Sequence, residues 1–271
     1  MNRTFDLAGP VSARIVIEGG AVEVDTVDAT QARVEVMRER GGEPGDELFV
    51  GMRDGADGPE LVVELSRGGF LSHFGHDRDL FVRVQIPHGS RLRVSTASAD
   101  VKARGTYSGA VFHTASGDMS IGRIAGDLDM KTASGDIEAE SIAGKLVAQS
   151  ASGDLQIHRT DGEVSLRTAS GDVGLDEVAG ERVEVHTASG DVEIREVVRA
   201  SVSVQSASGD ISIGIRRGSR VWLDVRSLSG ETQSEFELND QPDSEEGPLV
   251  EVRAMSMSGD IAIRRASAVV V

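Results

Sequence analysis

His73, His76, Asp77 and Asp79 fall within one short stretch, FLSHFGHDRD, from Phe70 to Asp79. Two imidazoles and two carboxylates are donors that zinc or another divalent ion takes. No second ligand group at a distance accompanies them, so the stretch reads first as a loop with its aromatic residues tucked onto the N-terminal β cap. A second carboxylate array is spread along the chain: Asp100, Asp118, Asp136, Asp154, Asp172, Asp191, Asp210, Glu231 and Asp260. Carboxylates attract hard cations such as calcium, but one acid per repeat is thin coordination. The structural alternative is a ladder of turn residues, each side chain accepting backbone N–H groups.

Other chemistry finds less support. His113, His158 and His186 do not fall into a Ser–His–acid arrangement. Acids are plentiful enough for a glycosidase pair, yet Trp222 and Tyr107 are the only Trp and Tyr, which leaves little ring surface for a sugar. No phosphate-cradling glycine motif precedes a helix. The sequence nominates no catalytic residue and no cofactor.

The acids belong to a repeat. TASGD begins at Thr114, Thr132, Thr168 and Thr187, and SASGD at Ser150 and Ser206. Successive acids stand 18, 18, 18, 18, 19, 19, 21 and 29 residues apart, a spacing typical of stacked repeats. Four residues before the Thr or Ser stand Leu92, Ala110, Leu128, Leu146, Val164, Val183, Val202, Leu223 and Val252. Two before it stand Val94, Phe112, Met130, Ala148, Leu166, Val185, Val204, Val225 and Ala254, and the position between the two sets and the motif is mostly polar. This is strand periodicity with one buried face. A second short strand follows each acid, as in Ile137-Glu-Ala139; only the Glu231 rung breaks the rule, with Thr232 and Ser234.

The predicted fold is therefore all-β: a single-stranded, right-handed, β-helix-like β-solenoid of about nine coils. Identical positions stack ~4.8 Å apart, giving a rod of roughly 40 Å, and right-handed crossovers are the norm. The Thr or Ser hydroxyl turns inward at each corner to bond the backbone, and the glycine supplies a turn conformation. Neighbouring aspartates ~5 Å apart repel by roughly 0.8 kcal/mol even in water. Arg104, Arg123, Arg159, Arg195, Arg216 and Arg264, four or five residues on, are the expected compensation.

Residues 1–90 lack the repeat and read as an irregular β cap, with Gly19-Gly20 expected as a hairpin turn. Residues 91–271 form the solenoid, in coils of 18–21 residues, with an acidic insertion at 232–248. After Asp260 half a coil remains, and its C-terminal edge is a candidate for end-to-end assembly. A net charge of −17 disfavours nucleic acid and anionic lipid. No apolar run approaches the ~20 residues of a membrane span. With no cysteine and no secretory signal, a cytoplasmic location is expected.

The repeated T/S-A-S-G-D-hydrophobic pattern, with TFDLAGPVSARIVIEGGAVEVDTVDATQARVEV and FVRVQIPHGSRLRV ahead of it, resembles a bacterial domain family of unknown function generically labelled putative adhesins. The resemblance spans roughly residues 4–264. It implies a β-solenoid without enzymatic activity and supplies no catalytic residues. The expected function is a non-catalytic scaffold or interaction module that meets a protein partner, or itself, through a solenoid face or the C-terminal edge. A surface adhesin or carbohydrate-binding protein, and a metal-binding protein using His73 and His76, are the alternatives.

Overall fold

A computed structural model describes residues 1–38, 47–55, 58–65, 79–236 and 247–266. These contain no helix. The chain divides into two compact units, Met1–Asp136 and Ile137–Val271.

The first unit carries β1 (Asn2–Asp6), β2 (Ser12–Val27), β3 (Gln31–Arg38), β4 (Leu48–Gly55) and β5 (Gly58–Leu65). It continues with β6 (Asp79–Pro87), β7 (Arg91–Tyr107), β8 (Gly109–Thr114), β9 (Met119–Ile124) and β10 (Leu128–Lys131). Strict alternation in SARIVIEGGAVEVDTV buries every second side chain of β2 on either side of its two glycines. β2 runs parallel to β7 from Ser12↔Arg91 to Asp25↔Arg104, and parallel to β5 and β6 on its other side. The expected hairpin at Gly19-Gly20 does not form. The strand passes through that point as a coil corner, with Gly20 at φ 103° against the backbone of Leu80. A Cβ there would collide with the Leu80 carbonyl. β8 and β9 extend the parallel stack from β7, and β10 from β8. On the far side of β5 and β6 the direction reverses: β4 lies antiparallel to β5, β3 to β6, and β1 to β3.

The core of this unit is aliphatic, from Val22, Val24, Val82, Val84, Leu92 and Val94, with Phe112 and Tyr107 as its large rings. Tyr107 is fully buried and its hydroxyl donates to the Val24 carbonyl at 2.7 Å. Desolvation pushes its pKa well up.

The second unit carries β11 (Ile137–Ile142), β12 (Leu146–Ser150), β13 (Leu155–Thr160), β14 (Val164–Thr168), β15 (Val173–Val178), β16 (Arg182–Ser189) and β17 (Val192–Val197). β18 (Ala200–Ser208), β19 (Ile211–Ile215), β20 (Arg220–Ser227), β21 (Thr232–Ser234), β22 (Leu249–Ser258) and β23 (Ile261–Arg265) complete it. All described pairs in this unit are parallel. Like stacks on like: Leu155 on Val173, Val173 on Val192, Val192 on Ile211, Ile211 on Ile261. Each such side chain is almost wholly buried and contributes about 1.5–3 kcal/mol. The fold is a parallel β-solenoid.

The order of layers departs from the order of the chain. β22 lies between β18 and β20, and β23 between β19 and β21. The last coil of the sequence is thus threaded inside, and the preceding coil, 220–234, is outermost among the described residues of this unit. The inward columns give the reason. Val250, Val252, Ala254, Ile261 and Ile263 can be covered on both sides and are. Thr232 and Ser234 occupy the corresponding inward positions of β21 and stay exposed. The irregular Glu231 rung therefore suits an end. The same threading removes the expected C-terminal edge: β23 has a neighbour on both sides, and the Ala266 N–H donates to Ile215. Residues 267–271 lie outside the described residues.

Candidate functional site

The repeat motif builds the corners. Thr132 and Thr168 are buried, and each Oγ1 donates to the carbonyl of the serine two residues on, at 2.8 Å. Ser150 and Thr187 do the same. Gly171, at φ 106°, turns the chain against Gly153, whose carbonyl leaves no room for a Cβ.

Each aspartate then clasps the next layer. In the first unit the Asp118 N–H donates to Asp100 Oδ1 and the Asp136 N–H to Asp118 Oδ1. In the second the series runs Asp154, Asp172, Asp191, Asp210, Asp260, Glu231, each later N–H donating to the preceding Oδ1 at 2.7–2.8 Å. The backbone answers in the reverse direction, as Leu155 N–H donates to the Asp172 carbonyl at 2.9 Å. Hydrogen bonds to a charged acceptor stabilise by about 1.5–3 kcal/mol, enough to offset repulsion along the row. The compensation expected from arginines is directed elsewhere. Arg104 pairs with Asp25, Arg159 with Asp161 and Glu177, Arg195 with Asp176, and Arg216 with Glu196.

Of the possible metal ligands, His73, His76 and Asp77 lie outside the described residues. Asp79 opens β6 opposite Gly19. Among the described residues no three His, Asp or Glu side chains form a ligand set.

Outward positions of β13, β15, β17, β19 and β23 make a charged face with a groove of about 520 Å³, lined among others by Asp176, Glu193, Arg195, Ser212, Gly214 and Arg264. The small residue Ser212 opens it, since its neighbour in the same column is Glu193, while Gly214 packs against the Arg195 carbonyl. His158 sits between two carboxylates, its Nδ1 2.7 Å from Asp176 and its Nε2 3.0 Å from Glu138. The bond to Asp176 first, then that to Glu138, raises its pKa. An imidazolium held this way donates from both nitrogens and keeps no lone pair to act as a base. Its neighbours form a chain of pairs, Arg195 with Asp176 at 3.0 Å and Arg216 with Glu196 at 2.6 Å and with Glu177 at 3.5 Å. What this face can do is electrostatic recognition.

The second surface is apolar. Trp222 (45% exposed), Leu228 (82%), Leu249, Met255 and Met257 (60%) are all exposed on β20, β22 and the turn after β20. The Arg253 guanidinium stacks 5.2 Å from the Trp222 ring. Sequence reasoning weighed Trp222 only as a sugar platform and did not group these residues. Their shared outward parity on consecutive rungs was the available signal. His158 and Asp176, 18 residues apart in one outward column, were likewise legible as neighbours.

Stacked parallel layers, hydrogen-bonded corner aspartates and an ion-paired outer face define a β-solenoid domain. The chain belongs to the Toastrack DUF4097 family, whose model matches residues 13–264. Among solved structures it is similar to a putative adhesin from Bacteroides fragilis, at 13% identity over 97% of this chain and 96% of that one, with a TM-score of 0.49. It is similar to a putative adhesin from Parabacteroides distasonis at 12% identity, 97% and 96% coverage and a TM-score of 0.49. A putative cell adhesion protein from Clostridium sporogenes matches at 9% identity, 98% and 99% coverage and a TM-score of 0.26. No curated protein matches.

Proposed function

We propose that this chain is a non-catalytic β-solenoid interaction module that docks a protein through the outer surface of its second unit. One observation carries the reading: five large apolar side chains are exposed on two adjacent rungs, Trp222 and Leu249 toward one end and Leu228, Met255 and Met257 toward the other, with Asp224 and Arg253 between them. Exposed apolar side chains rimmed by polar ones support an interaction site. The ion-paired groove, with His158 saturated on both nitrogens, supports recognition over catalysis. The absence of cysteine suits a reducing compartment, and we place the module in a bacterial cytoplasm, which fractionation of the native host tests.

Recovery of bound proteins from the native host with the wild-type chain and with Trp222→Ala/Met257→Ser tests the reading. A protein retained by the first and lost by the second, with circular dichroism unchanged, supports it. Identical recoveries overturn it.

A further inference from the structure

The edge of β20 carries more information than its exposure. Among the described residues β20 pairs only with β22. The Arg220 N–H donates to Pro248 and the Leu228 N–H to Ser256. Strand alternation therefore turns the even-numbered backbone groups of β20 toward β22, and those of Val221, Leu223, Val225 and Ser227 away from it. That row of donors and acceptors is a template for another strand. The inward side chains are short of one layer as well. Val202, Val204, Val252 and Ala254 are at most 1% exposed, whereas Val221, Leu223 and Val225 are only partly covered.

The outward side chains say what fits. They read Arg220, Trp222, Asp224, Arg226 and Leu228, with Asp224 and Arg226 paired at 2.9 Å within the strand. A twofold axis lays a second copy of the strand antiparallel to the first. The free backbone groups require odd-numbered residues to face odd-numbered residues, which an axis through any residue satisfies. Centred on Asp224 or on Arg226, the pairing sets like charges face to face, and centred on Trp222 it sets Arg220 against Asp224 but engages only Val221 and Leu223 of the free groups within β20. Centred on Leu223, the pairing sets Arg220 against Arg226 of the other copy, twice. Centred on Val225, it sets Asp224 against Arg226 twice and Trp222 against Leu228 twice. Both contacts then fall at non-hydrogen-bonded positions, where side chains approach most closely. Charge and apolar complementarity favour this register, and it engages Leu223, Val225 and Ser227, the most free backbone groups of any complementary one.

Resting on the interaction reading above, we propose that the occupant of this edge is a second copy of this chain, joined antiparallel β20 to β20 about Val225. The polar strand β21, with Thr232, Gln233 and Ser234 exposed, stays in solvent beside the joint.

Sedimentation equilibrium of the full chain tests this. The wild type forms a concentration-dependent dimer. Asp224→Arg and Arg226→Asp each weaken it about 100-fold or more, because each sets like charges face to face. Mixing the two variants restores a heterodimer, and the double variant Asp224→Arg/Arg226→Asp restores the homodimer. Val225→Pro removes an outward N–H without touching the β22 ladder and also gives a monomer. Single reversals that dimerise like the wild type overturn the proposal, as does a wild-type monomer. A wild-type monomer that still retains a Trp222-dependent host protein overturns the second copy while the interaction reading stands. A wild-type monomer whose Val225 amide resists exchange shows that the chain's own residues cover the edge, and also overturns it.

Discussion

In the first unit the outermost described strands, β1 and β4, run antiparallel to the strands they cover. In the second, β20 runs parallel to β22 and no described strand lies beyond it. β1 is five residues long and polar, and Arg3 reaches across to the Val50 carbonyl at 2.6 Å. β4 is tied down by Arg53, which pairs with Glu64 and stacks on Phe49. Reversed strands carrying paired charges end a stack by making a further parallel layer unfavourable. β20 keeps the parallel direction, the free backbone groups and the half-covered valines of an interior strand. The difference teaches that repetition supplies layers freely and that ending the stack needs separate chemistry, which the first unit contains and which, under the proposal above, a partner supplies to the second.

The corners should not share this difference. Gly20 in the first unit and Gly171 in the second each meet a neighbouring carbonyl at positive φ. Gly20→Ala and Gly171→Ala should each lose about 3 kcal/mol or more, from strain added to collision with backbone. Urea unfolding measures it. A loss under 1 kcal/mol at either would mean that the corner relaxes, and the equivalence of the two units' corners fails.

Equivalent leucines sharpen the contrast between interior and edge. Leu146 and Leu223 hold the same inward column, one fully buried in β12 and one partly exposed in β20. Leu146→Ala should cost about 3 kcal/mol. Leu223→Ala should cost about 1 kcal/mol in protein too dilute to self-associate, and more as concentration rises. Equal losses at low concentration would show that the β20 layer is already covered.

How much of this was readable beforehand follows from what repetition encodes. The inward columns from Leu92 to Val252 announced strands, faces and stacking, because identical layers must present identical apolar positions. The aspartates announced their corners but not their bonding partner, since the donor is the backbone of the next layer and leaves no mark of its own in the sequence. Threading of β22 inside β20 escaped because sequence order was taken as layer order. Thr232 and Ser234, polar in apolar columns, were its trace. Gly19-Gly20 was misread for a related reason, as a glycine pair serves a parallel corner as well as a hairpin. The exposed apolar residues of β20 and β22 escaped grouping because Trp222, Met255 and Leu228 are ordinary singly, and only the layer order sets their two strands side by side.

Smaller effects test whether the ladder and the charged face act locally. Asp172→Asn keeps an Oδ1 to accept the Asp191 N–H and removes one charge from the row. Its stability should lie within about 0.5 kcal/mol of wild type, while Asp172→Ala loses about 1–2 kcal/mol with the bond. His158 gives the smallest effect. Asp176 and Glu138 raise its pKa in the folded chain, so the folded state holds the proton more tightly than the unfolded one. The resulting stability is fully present below the unfolded value of about 6.5 and is lost as pH rises through the higher folded value. Because the imidazole is 43% exposed, its contribution is at most about 0.5 kcal/mol. The melting temperature of the wild type should exceed that of His158→Gln near pH 5.5, and the gap should narrow toward pH 8.5. A gap that widens with pH would mean that His158 is held neutral, and would free one of its nitrogens for a role the present geometry denies it.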